Sequence, residues 1–170
     1  MQGSMVYSLK ALNQMSQTEF VEALGEIFEK TPAIAAQAWE KKPFTDVNDL
    51  HQKMVEAVHS MSSEQQLALI KAHPDLGTKA KMADASVKEQ AGVGLDRLSP
   101  EEYDRFLRLN QTYKDRFGFP FIVAVKNHTK ESILDAFEQR SRNSIEAEMQ
   151  QAIAEITQIA KFRLLDQVVL

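Results

Sequence analysis

Apolar residues recur at helical spacing along most of this chain, and cap signatures separate the runs. Ser16 and Glu19 have capping-box spacing, and Phe20, Leu24, Ile27 and Phe28 follow on one face. Thr31-Pro32 reads as an N-cap with proline at the first helical position, opening a helix that runs through Trp39 and closes by Pro43. A third helix is predicted from about Thr45 to Met61, with Leu50, Met54, Val58 and Met61 as its stripe. Ser62 and Gln65 repeat the box and open a short helix containing Leu67 and Ile70. Pro74 biases His73 away from helical dihedrals, so that helix should end near Ala72.

The texture then changes. His73 to Ala85 mixes Pro74, Gly77, two lysines and two aspartates with little periodicity, and reads as a loop. Ser86 and Glu89 give another box, followed by Ala91-Gly92-Val93-Gly94-Leu95. Ser99-Pro100 opens a helix with the stripe Tyr103, Phe106, Leu107, Leu109 and Tyr113, and Gly118 is placed to end it. Phe119 to Val125 resembles a strand but has no partner run, so it is expected to be a buried extended connection. Thr129 to Arg140 is helical. Ser144 begins the last and longest helix, with Ile145, Met149, Ile153, Ile156, Ile159 and Leu164 in register. The pattern predicts an all-α, single-domain bundle of about seven helices with essentially no sheet, over residues 1–170. Residues 1–10 are a candidate disordered leader, and Met5 a candidate natural start.

Composition narrows the function without naming it. The 170 residues suit one domain and are 44% apolar and 26% charged, ordinary for a globular protein. There is no cysteine, hence no disulfide, Fe–S cluster, thiolate zinc site or cysteine nucleophile. A net charge of -4 argues against nucleic acid as the main partner. No apolar run is long enough to span a membrane, and Met1 to Lys10 lack the apolar core of a secretory signal, so cytoplasm is the default.

The four histidines are the natural place to look for chemistry. His51 and His59 lie eight apart on one predicted helix, with no H-E-x-x-H pattern around them, and His128 falls in a polar loop. His73 differs, because it sits where a helix turns into an irregular stretch. It can be a helix C-terminal cation, or a catalytic group displayed on a loop. Ser86 and Glu89 can be a capping box alone, which would leave Gln90 on the surface. Gly92 and Gly94 cost helix stability and suggest a close backbone approach by a helix or a ligand. The segment Phe117 to Val123 is either a core crossing or a pocket wall that uses its main-chain groups. Arg163 either snorkels at the surface or points inward to clamp a carboxylate.

Taken together, His73-Pro74-Asp75-Leu76, Ser86-x-x-Glu89-Gln90, Gly94-Leu95, Leu109-Asn110-x-x-Tyr113, Phe117-Gly118-Phe119-Pro120-Phe121 and the Arg163-Leu164 ending resemble the 2-oxo-4-hydroxy-4-carboxy-5-ureidoimidazoline (OHCU) decarboxylase family. The order of these segments and their spread over nearly the whole chain carry the resemblance. It implies an all-α, usually dimeric carboxy-lyase that needs no cofactor and no metal. Such an enzyme converts OHCU, the last unstable intermediate of urate oxidation, into (S)-allantoin and carbon dioxide. The resemblance also implies that His73 is the catalytic histidine and Glu89 the acidic partner that orients it. Pro74, Ser86, Glu89, Gln90 and Arg163 would contact substrate, as would the main chain of Phe121, Ile122, Val123, Ala124 and Val125. The stretch between His73 and Ser86 is shorter than in many relatives, which bears on pocket access. Fusion or coupling to a urate oxidase is a further implication.

Loss of carbon dioxide from OHCU leaves electrons beside an imine that can delocalise them, so the protein need supply only orientation and one proton. Two other readings compete. One is a helical interaction domain, in which the caps and stripes are only structural. The other is a hydrolase acting one step earlier on 5-hydroxyisourate, whose motifs this chain does not resemble.

Overall fold

A computed structural model describes residues 6–77 and 89–169. The described residues are predominantly helical, in agreement with the all-α expectation. Helices α1 (Leu9–Gln14), α2 (Gln17–Leu24), α3 (Ala33–Trp39), α4 (Val47–His59) and α5 (Ser63–Lys71) come first. Residues 89–92 are helical, and then come α6 (Pro100–Phe117), a 3-10 turn (Val125–Asn127), α7 (Lys130–Arg140) and α8 (Ile145–Gln167). The pattern did not foresee one small feature, a parallel pair of two-residue strands, β1 (Tyr7–Ser8) and β2 (Val168–Val169). Two residues per strand leave no alternation to detect. Residues 7–10, read as part of a leader, belong to β1 and α1, and Leu9 is buried.

The chain forms two compact units, Met1–Leu69 with Thr157–Leu170, and Ile70–Ile156.

In the first unit the caps act as the sequence predicts. Ser16 and Glu19 make both bonds of a capping box, as do Ser62 and Gln65. Phe20, Leu24, Ile27 and Phe28 are all buried, and Phe20 stacks on Phe44. Thr31 is the exception. Its hydroxyl donates to Glu29 O at 2.9 Å, and α3 starts without a side-chain cap. Lys30, at φ 50, turns the chain into the left-handed region just before this point. In α4, Asp46 takes the cap, and Leu50, Met54 and Val58 are buried.

In the second unit α6 opens where Ser99-Pro100 predicts, with a capping box between Ser99 and Glu102 that was not foreseen, and ends at Gly118, whose φ is 81. Its buried face is Phe106, Asn110, Tyr113 and Phe117, spaced 4, 3 and 4 apart as one helical stripe requires. Leu107, read as part of that stripe, is exposed, and an asparagine holds the core position. Ile145 on α8 is likewise exposed, while Glu148 is fully buried. In both cases the buried polar residue makes hydrogen bonds that an apolar count cannot register. Phe119 and Phe121 to Val125 are buried and belong to no ladder, as expected, but the run bends at Phe119 and enters the 3-10 turn at Val125. Phe121 stacks on Phe137, and Tyr113 meets Phe117, Phe119 and Phe121.

Candidate active site

The site is built around the turn after α5. That helix stops at Lys71, and the His73 amide closes on Ile70 O at 3.2 Å. His73 is only 8% exposed. Beyond Pro74, the next three residues are each held by a different side chain. Lys114 Nζ pairs with Asp75 Oδ2 at 2.7 Å, Asn110 Nδ2 donates to Leu76 O at 2.8 Å, and the Gly77 amide donates to Gln90 Oε1 at 2.9 Å. Asn110 and Lys114 are one turn apart on α6, so one helix face grips two successive loop residues. Gly77 has φ +70, and a Cβ there would lie 2.9 Å from Leu98 Cδ1 and 3.3 Å from Phe106 Cγ. Glycine is therefore required both by conformation and by space.

Gln90 is buried at 5% exposure, not on the surface as a bare capping box would leave it. Its position follows from the glycines downstream. The Leu95 amide reaches Gln90 O, the Gly94 amide reaches Ala91 O, and Gly94 has φ +83. This is the 6→1 and 5→2 pair of a Schellman cap. Gly94 is thus a helix stop. Among the described residues no helix backbone approaches the glycine pair: nothing lies within 4 Å of a Cβ on Gly92, and a Cβ on Gly94 would meet the Lys130 side chain at 3.9 Å. Glu89 precedes Gln90 in the same helical turn and is partly exposed. Ser86 lies outside the described residues, as does most of the stretch expected to be short.

The segment Phe121 to Val125 is fixed by charged side chains. Arg140 Nη1 donates to Ile122 O at 2.6 Å, and its guanidinium lies 4.4 Å from the Phe121 ring centroid. Arg140 is itself held by Glu148, at 2.9 Å. Glu148 also accepts from Tyr113 Oη and Asn143 Nδ2. Burial first, and then the bond to Glu148, hold the Tyr113 phenol well above its ordinary range, so it stays a donor. Two residues further along the segment, the Ala124 amide donates to Glu155 Oε1 at 2.9 Å. No sequence signal pointed to Arg140, Glu148 or Glu155. Their spacing is that of ordinary charged helix positions, and only burial distinguishes them.

Arg163 belongs to the first unit. At 3% exposure it points inward, which decides between the two readings of its sequence position. Nη1 reaches Glu26 O and Ile27 O at 3.3 Å each, and Nη2 pairs with Glu29 Oε1 at 3.1 Å. The other histidines make local bonds: His51 Nε2 lies 2.8 Å from Thr157 O, and His128 Nδ1 lies 2.9 Å from Ser132 Oγ. Among the described residues no three His, Asp or Glu side chains are grouped to hold a metal ion.

A cavity of about 660 Å³ opens beside Gly77, with Leu95, Leu98 and Tyr103 in its wall and Asp96, Glu101 and Asp104 around it. Among the described residues the three carboxylates around it disfavour an anion.

A buried histidine thus heads a loop braced at three consecutive residues of a helical fold. The chain belongs to the OHCU decarboxylase family, whose model matches residues 13–165. It is 43% identical, over 92% of its length and 89% of the relative's, to the 2-oxo-4-hydroxy-4-carboxy-5-ureidoimidazoline decarboxylase of Halalkalicoccus jeotgali. It is 47% identical to the uric acid degradation bifunctional protein PucL of Bacillus subtilis, covering 95% of this chain but only 33% of PucL. Among solved structures, an (S)-allantoin synthase superposes with a TM-score of 0.75 at 30% identity, covering 95% of this chain and 54% of that one.

Proposed function

We propose that this protein is a carboxy-lyase that converts OHCU into (S)-allantoin and carbon dioxide in urate degradation, without an added cofactor. The observation that carries the reading is the tie between its two motif segments. Gln90, next to Glu89, is bonded directly to the loop that begins at His73. A histidine whose loop is braced in this way can meet substrate without first being ordered.

In the proposed reaction the C–C bond between the carboxylate and the hydroxyl-bearing ring carbon breaks, and its electron pair passes through that carbon into the adjacent imine, whose nitrogen takes up a proton. His73 then delivers a proton to one face of the former imine carbon, which carries the ureido group, while the hydroxyl gives up its proton and becomes the ring carbonyl, so that a single enantiomer of allantoin forms. Glu89 sets the tautomer and orientation of His73, as a carboxylate beside an imidazole does. Ser86, Gln90 and Arg163 bind polar groups of the substrate, with Pro74 lining the pocket beside the histidine and the main chain of 121–125 forming one wall. The apolar surroundings of that wall, Phe121 and Val123 among them, favour loss of charge from the carboxylate. We further propose that the chain acts as one functional domain and as a homodimer in the cytoplasm, and that it is coupled to urate oxidase. Among the described residues no helix is long and apolar enough to cross a membrane.

The test uses fresh OHCU generated from urate with urate oxidase. The protein is expected to speed the decay and to yield optically active allantoin, and His73→Ala is expected to lose both effects while keeping its helical content. Slow decay to racemic allantoin in the presence of the wild-type protein would overturn the reading. Full activity in the folded His73→Ala variant would overturn the role of His73 alone.

A further inference from the structure

Two side chains of opposite charge hold two successive peptide groups in the middle of the buried 121–125 segment. The carbonyl of the Ile122–Val123 peptide accepts from Arg140 Nη1 at 2.6 Å. The amide of the Val123–Ala124 peptide donates to Glu155 Oε1 at 2.9 Å. Neither peptide is cis, since the cis bond in the described chain is Lys42-Pro43. In a trans peptide the C=O and N–H point in opposite directions. The Val123 N–H is therefore turned away from Arg140, and the Val123 C=O is turned away from Glu155.

The two clamps are themselves secured. Arg140 is held by the fully buried Glu148, and Glu155 Oε2 accepts from Gln151 Nε2 at 2.8 Å. Among the described residues no side chain or main-chain group hydrogen-bonds to the N–H or C=O of Val123. Buried main-chain groups normally find partners, so a donor and an acceptor on one residue need an explanation.

We infer that Arg140 and Glu155 are positioning residues that present the Val123 N–H and C=O as an adjacent donor–acceptor pair for an amide- or urea-type group of the ligand. A urea or cyclic amide offers a C=O beside an N–H, the complement of what one residue's main chain displays. The inference rests on the proposed function for its ligand class. It adds two side chains that touch no substrate and act through the backbone.

The test separates the clamp from general stability. Glu155 is partly exposed, so its variants are expected to fold. Glu155→Gln keeps an acceptor for the Ala124 amide, whereas Glu155→Met removes it. Glu155→Met is expected to raise KM for OHCU about tenfold, the factor one lost hydrogen bond of ordinary strength gives, with kcat changed far less. Glu155→Gln is expected to restore KM to within about threefold of wild type, and both variants to melt close to it. A wild-type KM in folded Glu155→Met would overturn the inference, as would equal impairment of the two variants. If the wild-type protein does not accelerate OHCU decay at all, the proposed function falls and the inference falls with it, so the two failures are told apart. Arg140→Lys serves as a second probe, since it keeps a cation for Glu148 but not the fork that also reaches Ile122. It is expected to raise KM in the same direction.

Discussion

Gln90 accepts the amide hydrogen of Gly77 through Oε1, and this one bond joins the helical turn that carries Glu89 to the loop that carries His73. Both partners are buried, so the bond is made without competition from water. The turn is stopped by the Schellman cap at Gly94, and the loop is held by Asn110 and Lys114 from α6. The placement of the two motif segments is thus a property of the second unit's packing.

Gly77→Ala probes the loop directly. At φ +70 a side chain costs about 1–2 kcal/mol, and the added Cβ also meets Leu98 at 2.9 Å. Together these are expected to destabilise the protein by about 2–4 kcal/mol, read from the urea midpoint. An unchanged midpoint would show that the loop shifts freely, contrary to the bracing described above.

Asn110→Ala removes the donor to Leu76 O and leaves a buried carbonyl unpaired, for an expected loss of about 1–3 kcal/mol. The loop should also loosen, so kcat for OHCU is expected to fall in protein that is still folded. Wild-type kcat and stability together would mean that the tether contributes nothing.

Glu89→Gln separates catalysis from capping. Glutamine serves at the last position of a capping box as well as glutamate does, so helix stability should hardly change. If Glu89 orients His73 through its charge, kcat should drop on the order of 10²-fold, with the fold intact. A variant with normal kcat would reduce Glu89 to a cap.

Tyr113→Phe reads the buried network by pH. Burial and the bond to Glu148 raise the Tyr113 phenol above its ordinary value of 10.0. The neutral phenol is thus favoured in the folded state. Its contribution to stability is complete below pH 10 and is lost as pH climbs above that value. The stability gap between wild type and Tyr113→Phe is therefore expected to shrink above pH 10 in alkaline denaturation curves. A gap that stays constant to pH 11 would contradict the assignment.

Much of this fold is legible in one dimension because helices are local. The boxes at Ser16 and Ser62, the helix start at Ser99-Pro100 and the stop at Gly118 depend on residues at most four apart, and each appears where its spacing predicts. The stripe at Leu50, Met54 and Val58 is legible for the same reason. Thr31 failed as a cap because the left-handed Lys30 redirects its hydroxyl, and nothing in the residue types announces that. Leu107 and Ile145 were misread because the positions that face the core are held by Asn110 and Glu148.

The sequence by itself determined the helical class, most helix ends, and the motif order that marks the family, since all of these are written in short-range spacing. The tertiary structure alone decided that Gln90 is buried and braces Gly77, that Arg163 points inward to Glu29, and that Arg140 and Glu155 hold the Ile122 carbonyl and the Ala124 amide. The physical reason is the same in each case. A polar side chain is stable in a core only beside its partner, and those partners lie 13 to 134 residues away along the chain.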